Sequence, residues 1–420
     1  MPAPFNLRAP ANLGFESSTQ LVTDVVAKGP VGVPAYVPEQ FTGATQTPLP
    51  VGVLPLRLLH GLGKVTAAPG GLSSTLLTLV GWWPILRYAW AFDDPVAPNN
   101  RMRLAPVTDR VRHHRRTLFS EDFGIAAAAF VLEEFLGATD ILDADEDLDD
   151  LVAAGTLLRL GTKRPDYLGR PSQPGQPWLV VDAKGTSADR DKVVSQLSDG
   201  CAQALSVTAA TGGTRHLVVG ALAPHAPYEI LAAAIEVTAP APPAPPGPAP
   251  APPGPAPAQG GDGLESDPRD ESPLARDLAR AHRLAFAGAF ATANSRARRK
   301  LDSEEPPRSR VQATGATFEG VQFNIAARSW QLEAFFGLDT RLSEVYMQAP
   351  SDEDIVVERE VRASLGGADE TPPPTHDGSD VRNRYLMDEP DEDVMRSVCT
   401  DGTFVEFRFR NRDDAEIEEG

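Results

Sequence analysis

Two aspartates and a lysine in the middle of the chain have the types and the spacing to hold a divalent cation beside a fixed positive charge. Asp166 follows Pro165, and Asp182-Ala183-Lys184 closes an apolar run that begins at Trp178. Side chains alternate faces along a strand, so Asp182 and Lys184 point the same way if this run is a strand. If Asp166 lies on the neighbouring strand, two carboxylates and one ammonium converge. Such a group suits Mg²⁺ or Mn²⁺ and the hydrolysis of phosphodiesters.

Helices are predicted on both sides of these strands. Upstream, apolar positions recur at helical spacing over 120–136, with Ser120 as the N-cap, Glu121 in the first turn and Gly137 as the stop. The acidic run 140–150 is typical of a loop or of a polar helix start, and we interpret it as a solvated connector. Downstream, the pattern over 189–205 predicts a second helix that carries Gln196, and apolar runs at 216–221 and 228–237 predict a strand and a strand or short helix. This order indicates an α/β fold with helices over a mixed sheet.

The arrangement resembles the PD-(D/E)XK nuclease superfamily, which has the restriction-endonuclease-like fold. The matching residues are Pro165-Asp166, Asp182-Ala183-Lys184 at the end of a hydrophobic strand, Glu121 at the head of a helix and Gln196 on a later helix. The resemblance covers residues 112–237, about a third of the chain. It implies a core helix, a mixed four-stranded sheet, a second helix and Mg²⁺ at the sheet edge.

Each of these residues has a chemical role and a structural alternative. Asp166 and Asp182 are the predicted metal ligands, with the carbonyl of Ala183 and the carboxylate of Glu121 as further candidates. Lys184 would orient or deprotonate the attacking water or stabilise the transition state, and Gln196 would contact the scissile phosphate or position the water. The alternatives are a salt-bridged strand end, a helix-dipole role for the glutamate and a surface glutamine.

The charge distribution limits how the chain can meet nucleic acid. A net charge of −19 argues against a protein that coats DNA, and residues 239–420 carry 34 acidic against 20 basic residues. The segment 101–116 is locally basic, with Arg112, Arg115 and Arg116 as candidate phosphate contacts. A solvated basic loop is the alternative interpretation of this segment.

Composition divides the chain into five parts. Residues 1–100 are predicted to be β-rich or irregular, and 101–238 to be the nuclease-like domain. Residues 239–262 are a Pro/Ala/Gly-rich linker with extended polyproline geometry. Residues 263–412 are predicted to be an acidic α+β region that opens with an Arg-rich helical pattern over 272–300. The segment 366–380 and the tail 413–420 have a disordered composition.

Cysteine usage and the termini predict the compartment. Cys201 and Cys399 are too few for a disulfide framework, and the N-terminus lacks the pattern of a signal peptide. We therefore expect a cytoplasmic protein without membrane contact. The expected function is a Mg²⁺- or Mn²⁺-dependent nuclease that cuts DNA, in phage defence or DNA processing by analogy with the superfamily. The alternatives are an inactive nuclease-like scaffold with protein partners at its N-terminal and C-terminal regions, and a delivered toxin.

Overall fold

The structure is a computed structural model of the 420-residue chain. It describes residues 11–29, 36–41, 49–53, 55–66, 86–95, 100–110, 113–171, 176–224, 228–239, 273–287, 308–313, 315–326, 330–348, 353–365, 394–399 and 401–411. Several predictions lie outside the described residues, namely those on the linker from residue 240, on the segment 366–380, on the C-terminal tail and on Arg112. The side chain of Arg115 lies outside them as well.

The described part of the first 240 residues contains ten strands: β1 (Ala11–Glu16), β2 (Val37–Gln40), β3 (Leu49–Val53), β4 (Ala138–Asp143), β5 (Leu157–Arg159), β6 (Tyr167–Pro171), β7 (Trp178–Thr186), β8 (Val207–Ala209), β9 (Thr214–Leu222) and β10 (Leu231–Thr238). Eight of them form one mixed, curled sheet flanked by helices, in the order β3-β1-β10-β9-β7-β6-β4 with β2 paired to β10. The pairs β7–β9 and β1–β10 are parallel, whereas β6–β7, β4–β6 and β9–β10 are antiparallel. The two remaining short strands, β5 and β8, pair with each other.

The first hundred residues supply β1, β2 and β3 to this sheet and also contain two helices, α1 (Thr19–Lys28) and α2 (Pro55–Thr66). The expectation of a β-rich or irregular region accounts for the strands but not for the helices. In α1 the buried residues are Leu21 and Val25, one turn apart, which is too few positions for a helical period to stand out. The sheet therefore continues across residue 100, while the domain division itself remains a prediction.

Helix α3 (His113–Phe130) packs on one face of the sheet and continues as a π-helical turn, Val131–Phe135. It stops before Gly137, which has the left-handed φ of 62° expected of a helix-ending glycine. The predicted start at Ser120 is wrong, because Ser120 is buried in the helix interior and its hydroxyl donates to the carbonyl of Thr117. A serine that bonds back to the preceding turn resembles an N-cap in sequence but does not begin a helix.

The acidic run is not a solvated connector: residues 140–143 lie in β4, and residues 144–150 lie in helix α4 (Ala144–Ala153). Asp143 caps it by accepting from the Asp145 N–H, and Leu148 and Leu151 are buried. The predicted downstream helix is α5 (Arg190–Ala204), capped by Asp189. It packs on β7 and β9 with a hydrophobic cluster separate from the one beneath α3, so helices cover both faces of the sheet.

The C-terminal residues form an α+β region, as predicted. Its described elements are α6 (Pro273–Phe286), β11 (Arg308–Ala313), β12 (Ala316–Ala326), β13 (Trp330–Asp339), α7 (Thr340–Tyr346), α8 (Glu353–Ser364), β14 (Val394–Val398) and β15 (Thr403–Asn411). The five strands form an antiparallel sheet in the order β11-β12-β13-β15-β14. The helical pattern predicted over 272–300 is described as far as residue 287, and the remainder lies outside the described residues.

A buried layer of ion pairs joins the C-terminal region to the main sheet. Lys64 of α2 pairs with both Glu133 and Asp401, and Arg283 of α6 pairs with Asp140 of β4. All five side chains are almost fully buried, so removing one member of a pair would leave an uncompensated buried charge and destabilise the fold. Among the described helices, none has both the length and the apolar character needed to cross a bilayer.

Candidate functional site

The start of β6 and the end of β7 bring Asp166, Asp182 and Lys184 together. The antiparallel ladder between these strands begins just after Asp166, which leaves its carboxylate beside Ala183. The Ala183 N–H donates to Asp166 Oδ2 at 2.7 Å, and Lys184 Nζ lies 3.7 Å from the same oxygen. Lys184 Nζ is also 2.6 Å from Asp182 Oδ2. One amine therefore lies between two carboxylates that neighbouring strands contribute.

The three side chains of this group differ in how much of each is exposed to solvent. The side chain of Asp182 is 0% exposed, that of Lys184 20% and that of Asp166 39%. Solvent and any ligand therefore approach over Asp166, with Asp182 at the back.

Burial raises the pKa of Asp182 to about 8, the Asp166 carboxylate adds to the rise, and the Lys184 ammonium opposes it. Neither oxygen of Asp182 has a well-aligned hydrogen-bond donor among the described residues, so the contact with Lys184 is an ion pair. The Lys184 amine is thus the close polar contact of this buried carboxyl group. A buried carboxyl group beside a partly exposed one suits a cation that is reached from one side.

Helix α3 lies directly against the end of β7, beside Lys184. A methyl group added at Gly185 would lie 1.7 Å from the Ser120 carbonyl oxygen, and one at Gly124 would lie 2.3 Å from the Lys184 carbonyl oxygen. The two backbones therefore touch with no side chain between them. Neither glycine was among the site residues predicted from the sequence. The available signal was a glycine directly after the lysine and another inside an otherwise apolar helix.

Glu121 lies on α3 with an exposed side chain and does not occupy the helix head. Burial raises the pKa of the neighbouring Asp122, and the Glu121 charge contributes to the rise. The Tyr88 hydroxyl donates to the Asp122 carboxylate. Within the described residues, no hydrogen bond or ion pair joins the Glu121 carboxylate to Asp166 or Lys184. The Glu121 backbone thus takes part in the contact with β7, since its Cα would lie 3.0 Å from a methyl group at Gly185, but its carboxylate is not brought into the site.

Gln196 of α5 reaches the site from the opposite face. Its Nε2 donates to the Gly185 carbonyl oxygen at 3.2 Å, one residue beyond Lys184. Its Oε1 is buried and has no hydrogen-bond partner in the described part of the chain. Gln196 is therefore a half-buried side chain of the site with one unused acceptor, and not a solvated glutamine on a helix surface.

The basic segment lies at the same end of the sheet as Lys184. Its residues Met102 and Leu104 exchange backbone hydrogen bonds with residues 228–230, directly before β10. Helix α3 follows this segment and packs on the end of β7. Arg116 is half-buried, and its guanidinium donates to the carbonyl oxygen of Asp109 at 3.0 Å. The basic segment is therefore bonded to the chain at the start of β10, two strands away from β7 in the sheet.

Two histidines and both cysteines are held by hydrogen bonds or are buried in the protein interior. His216 bonds the Val207 carbonyl oxygen at 2.9 Å, and His282 is buried 2.8 Å from the Asp147 carboxylate. Cys201 and Cys399 are both buried, and burial raises the pKa of each thiol to about 12, which keeps it protonated. Among the described residues, no three His, Cys, Asp or Glu side chains form a metal-binding group. Asp166 and Asp182 are the two carboxylates that the structure brings together at the end of β7.

The fold and the site define an α/β protein with two carboxylates and an amine at the end of a sheet strand. In comparisons with family models, curated proteins and solved structures, nothing matches the chain. A functional assignment therefore depends on the chemistry of the site itself.

Proposed function

We propose that the protein is a metal-dependent nuclease that hydrolyses phosphodiester bonds, with DNA as the first substrate to test. The observation that carries this proposal is the convergence of Asp166, Asp182 and Lys184 at one strand end, with a 2.6 Å contact from the amine to the buried carboxylate. A setting in phage defence or DNA processing is part of the same proposal and comes from analogy with the superfamily.

The order of elements around the site supports the resemblance to a restriction-endonuclease-like core. Helix α3 is followed by strands β4, β6 and β7, then by helix α5 and strand β9. The four strands are neighbours in the sheet, in the order β9-β7-β6-β4, with β9 parallel to β7 and the others antiparallel. The resemblance implies a core helix, a mixed four-stranded sheet and a second helix, and this order of elements supports the proposal. In this chain α4 and β5 are inserted between β4 and β6, and β8 is inserted between α5 and β9.

The residues present fit a hard divalent cation. Asp166 and Asp182 offer carboxylate oxygens, and the buried Asp182 has no aligned hydrogen-bond donor to satisfy it. The Ala183 N–H points towards the β6 side and donates to Asp166, so the Ala183 carbonyl points to that side too, beyond the end of the ladder. These two carboxylates and this carbonyl would hold Mg²⁺ or Mn²⁺. When bound, the ion supplies a water of lowered pKa and neutralises charge on the phosphoryl oxygens.

The chain's own residues would then orient the reactants. Lys184, fixed between the two carboxylates, would donate to a phosphoryl oxygen or to the attacking water at the front of the site. Gln196 holds the backbone after Lys184 with its amide nitrogen and would position the attacking water through that contact. The buried position of Asp182 excludes bulk water from the back of the site.

The test is Mg²⁺- and Mn²⁺-dependent cleavage of plasmid, linear and single-stranded DNA and of RNA. Replacing Lys184 with Ala, or Asp182 with Ala, should lower the cleavage rate by about 10²–10³ or more. The matched control is Asp199→Ala, which removes an exposed carboxylate from α5. Circular dichroism of every variant separates loss of activity from loss of fold. Cleavage retained in both site variants would remove the assignment.

The inactive-scaffold alternative makes a different prediction from the same site. Titration calorimetry with Mn²⁺ should show binding that disappears in Asp166→Asn if the site is a metal-dependent one. No binding, or binding unaffected by that change, would favour the scaffold.

A further inference from the structure

Helix α5 contacts both halves of the candidate site with one face. Gln196, Gly200 and Gln203 are four and three residues apart, so they lie along the same side of the helix. The first of these residues bonds the backbone just after Lys184. The other two have no role in the proposed chemistry so far, yet each meets one of the two strands that carry the aspartates.

Gly200 lies against the carboxylate of Asp182. A methyl group added at Gly200 would lie 2.4 Å from Asp182 Oδ2 and 2.6 Å from Cγ1 of Val218 on β9. A contact this close leaves no room for any side chain, and Val218 and Asp182 are paired across β7 and β9. Glycine is a poor helix former, so its place inside α5 is explained by the close approach that it allows. The backbone of α5 thus forms the back wall of the site.

Gln203 holds the other aspartate through the backbone. Its Nε2 donates to the Arg164 carbonyl oxygen at 3.3 Å, two residues before Asp166. The N–H of Asp166 donates to the carbonyl of Val181 at 3.1 Å, and the carbonyl of Asp166 accepts from the N–H of Ala144 at 3.0 Å. The turn that presents Asp166 is therefore fixed from three elements, and α5 is one of them.

We infer that Gly200 and Gln203 are positioning residues, through which helix α5 sets the separation and orientation of the Asp166 and Asp182 carboxylates. The backbone of Gly200 lies close to the Asp182 carboxylate, and Gln203 donates a hydrogen bond to the turn that carries Asp166. The chemical purpose of this arrangement rests on the proposed function, but the geometry that it predicts can be measured without any metal or substrate.

The hydrogen bond from the Ala183 N–H to Asp166 reports that geometry. This N–H lies beyond the β6–β7 ladder, so the Asp166 carboxylate is what protects it from exchange. In the metal-free full chain, Gln203→Ala and Gly200→Ala should each speed exchange of this amide by about tenfold or more, measured at single-residue resolution. The same variants should weaken Mn²⁺ binding by about 10–100-fold, as removal of groups that orient metal ligands does.

Two controls separate positioning from general damage to α5. Asp199→Ala and Lys192→Ala each truncate an exposed side chain on the same helix. Both should keep the Ala183 exchange rate of the unmodified chain. If Gly200→Ala does not fold, Gln203→Ala, which adds no atoms, still decides the question.

The inference is overturned if folded Gln203→Ala exchanges Ala183 at the unmodified rate, or if the controls speed it equally. Failure of the proposed function has another signature. In that case the unmodified chain shows no Mn²⁺ binding and no cleavage, while the exchange rates of the variants still report whether α5 positions the carboxylates.

Discussion

Replacing Asp182 with asparagine is expected to stabilise the metal-free protein at alkaline pH and much less at acidic pH. Burial and the nearby Asp166 carboxylate raise the pKa of Asp182 to about 8, from an ordinary value of 3.8. Between these two values the native state keeps a proton that the unfolded chain has released. The free energy of unfolding therefore falls as the pH rises from about 4 to about 8 and stays low above that. Asparagine has the shape of the protonated acid and does not titrate, so the free energy of unfolding of Asp182→Asn should not show this fall with rising pH.

The size of the effect follows from the size of the shift. A rise from 3.8 to about 8 is roughly four pKa units, and at about 1.4 kcal/mol per unit it sets an upper limit of about 5 kcal/mol on the stability lost by pH 8. About 1–2 kcal/mol of this is already lost at about pH 5. We therefore expect the advantage of Asp182→Asn to grow by about 2–4 kcal/mol between those two pH values.

The assay is urea unfolding followed by circular dichroism at about pH 5 and about pH 8, with a chelator present throughout. Asp199→Asn is the matched control, since it removes an exposed carboxylate from the helix that faces Asp182. The reasoning is refuted if the two variants show the same change in unfolding free energy between the two pH values. It is also refuted if Asp182→Asn loses stability relative to the unmodified chain at the higher pH.

Three further outcomes follow from contacts described above. Gly185→Ala should destabilise the chain by more than about 2 kcal/mol, because its methyl would overlap the backbone of α3, whereas Gly161→Ala, whose methyl would lie 3.6 Å from its nearest neighbour, should be close to neutral in thermal unfolding. Lys64→Met should cost about 3–5 kcal/mol in urea unfolding, because the buried Asp401 loses its closest cation and keeps Arg283, whose Nε lies 3.9 Å away. Burial raises the pKa of Asp401, but the charges of Lys64 and Arg283 outweigh it and hold that pKa below its ordinary 3.8, so the contribution is present above about pH 4 and is lost as the pH falls further. Mn²⁺ should raise the melting temperature of the unmodified chain but not that of Asp166→Asn, checked by thermal unfolding with and without the ion.

Local patterns predicted the strand and the helix nearest the candidate site. The apolar run from Trp178 became β7, and the period over 189–205 became α5, because both signals are repeated over several residues. The two-residue spacing of Asp182 and Lys184 was enough to place them on one face, since alternation along a strand is a fixed geometric property. The position of Asp166 on the adjacent strand needed one further assumption, a short antiparallel connection, which the ladder between β6 and β7 satisfies.

Features set by tertiary contact could not be read in the same way. Ser120 has the residue type of an N-cap, but the chain before it is also helical, and its hydroxyl bonds within the helix. Residues 144–150 of the acidic run form part of α4, in which Leu148 and Leu151 are buried. Their burial depends on the residues that pack against them, which the local sequence does not show. The close approaches at Gly124, Gly185 and Gly200 involve residues distant in sequence, so a single glycine gives no indication of its partner.

A divalent cation would compensate the negative charge that the site gains when Asp182 ionises. Below about pH 8 Asp182 keeps its proton in the metal-free chain, and the Asp166 carboxylate, 3.7 Å from the Lys184 amine, balances that amine. Above that pH two carboxylates share one amine, and Asp166 makes the ionised form of Asp182 less stable. A divalent cation between the two carboxylates would reverse that effect, because each would then face an opposite charge. If the group were only structural, Asp166→Asn would relieve the repulsion without loss, and binding of Mn²⁺ would be unchanged by it.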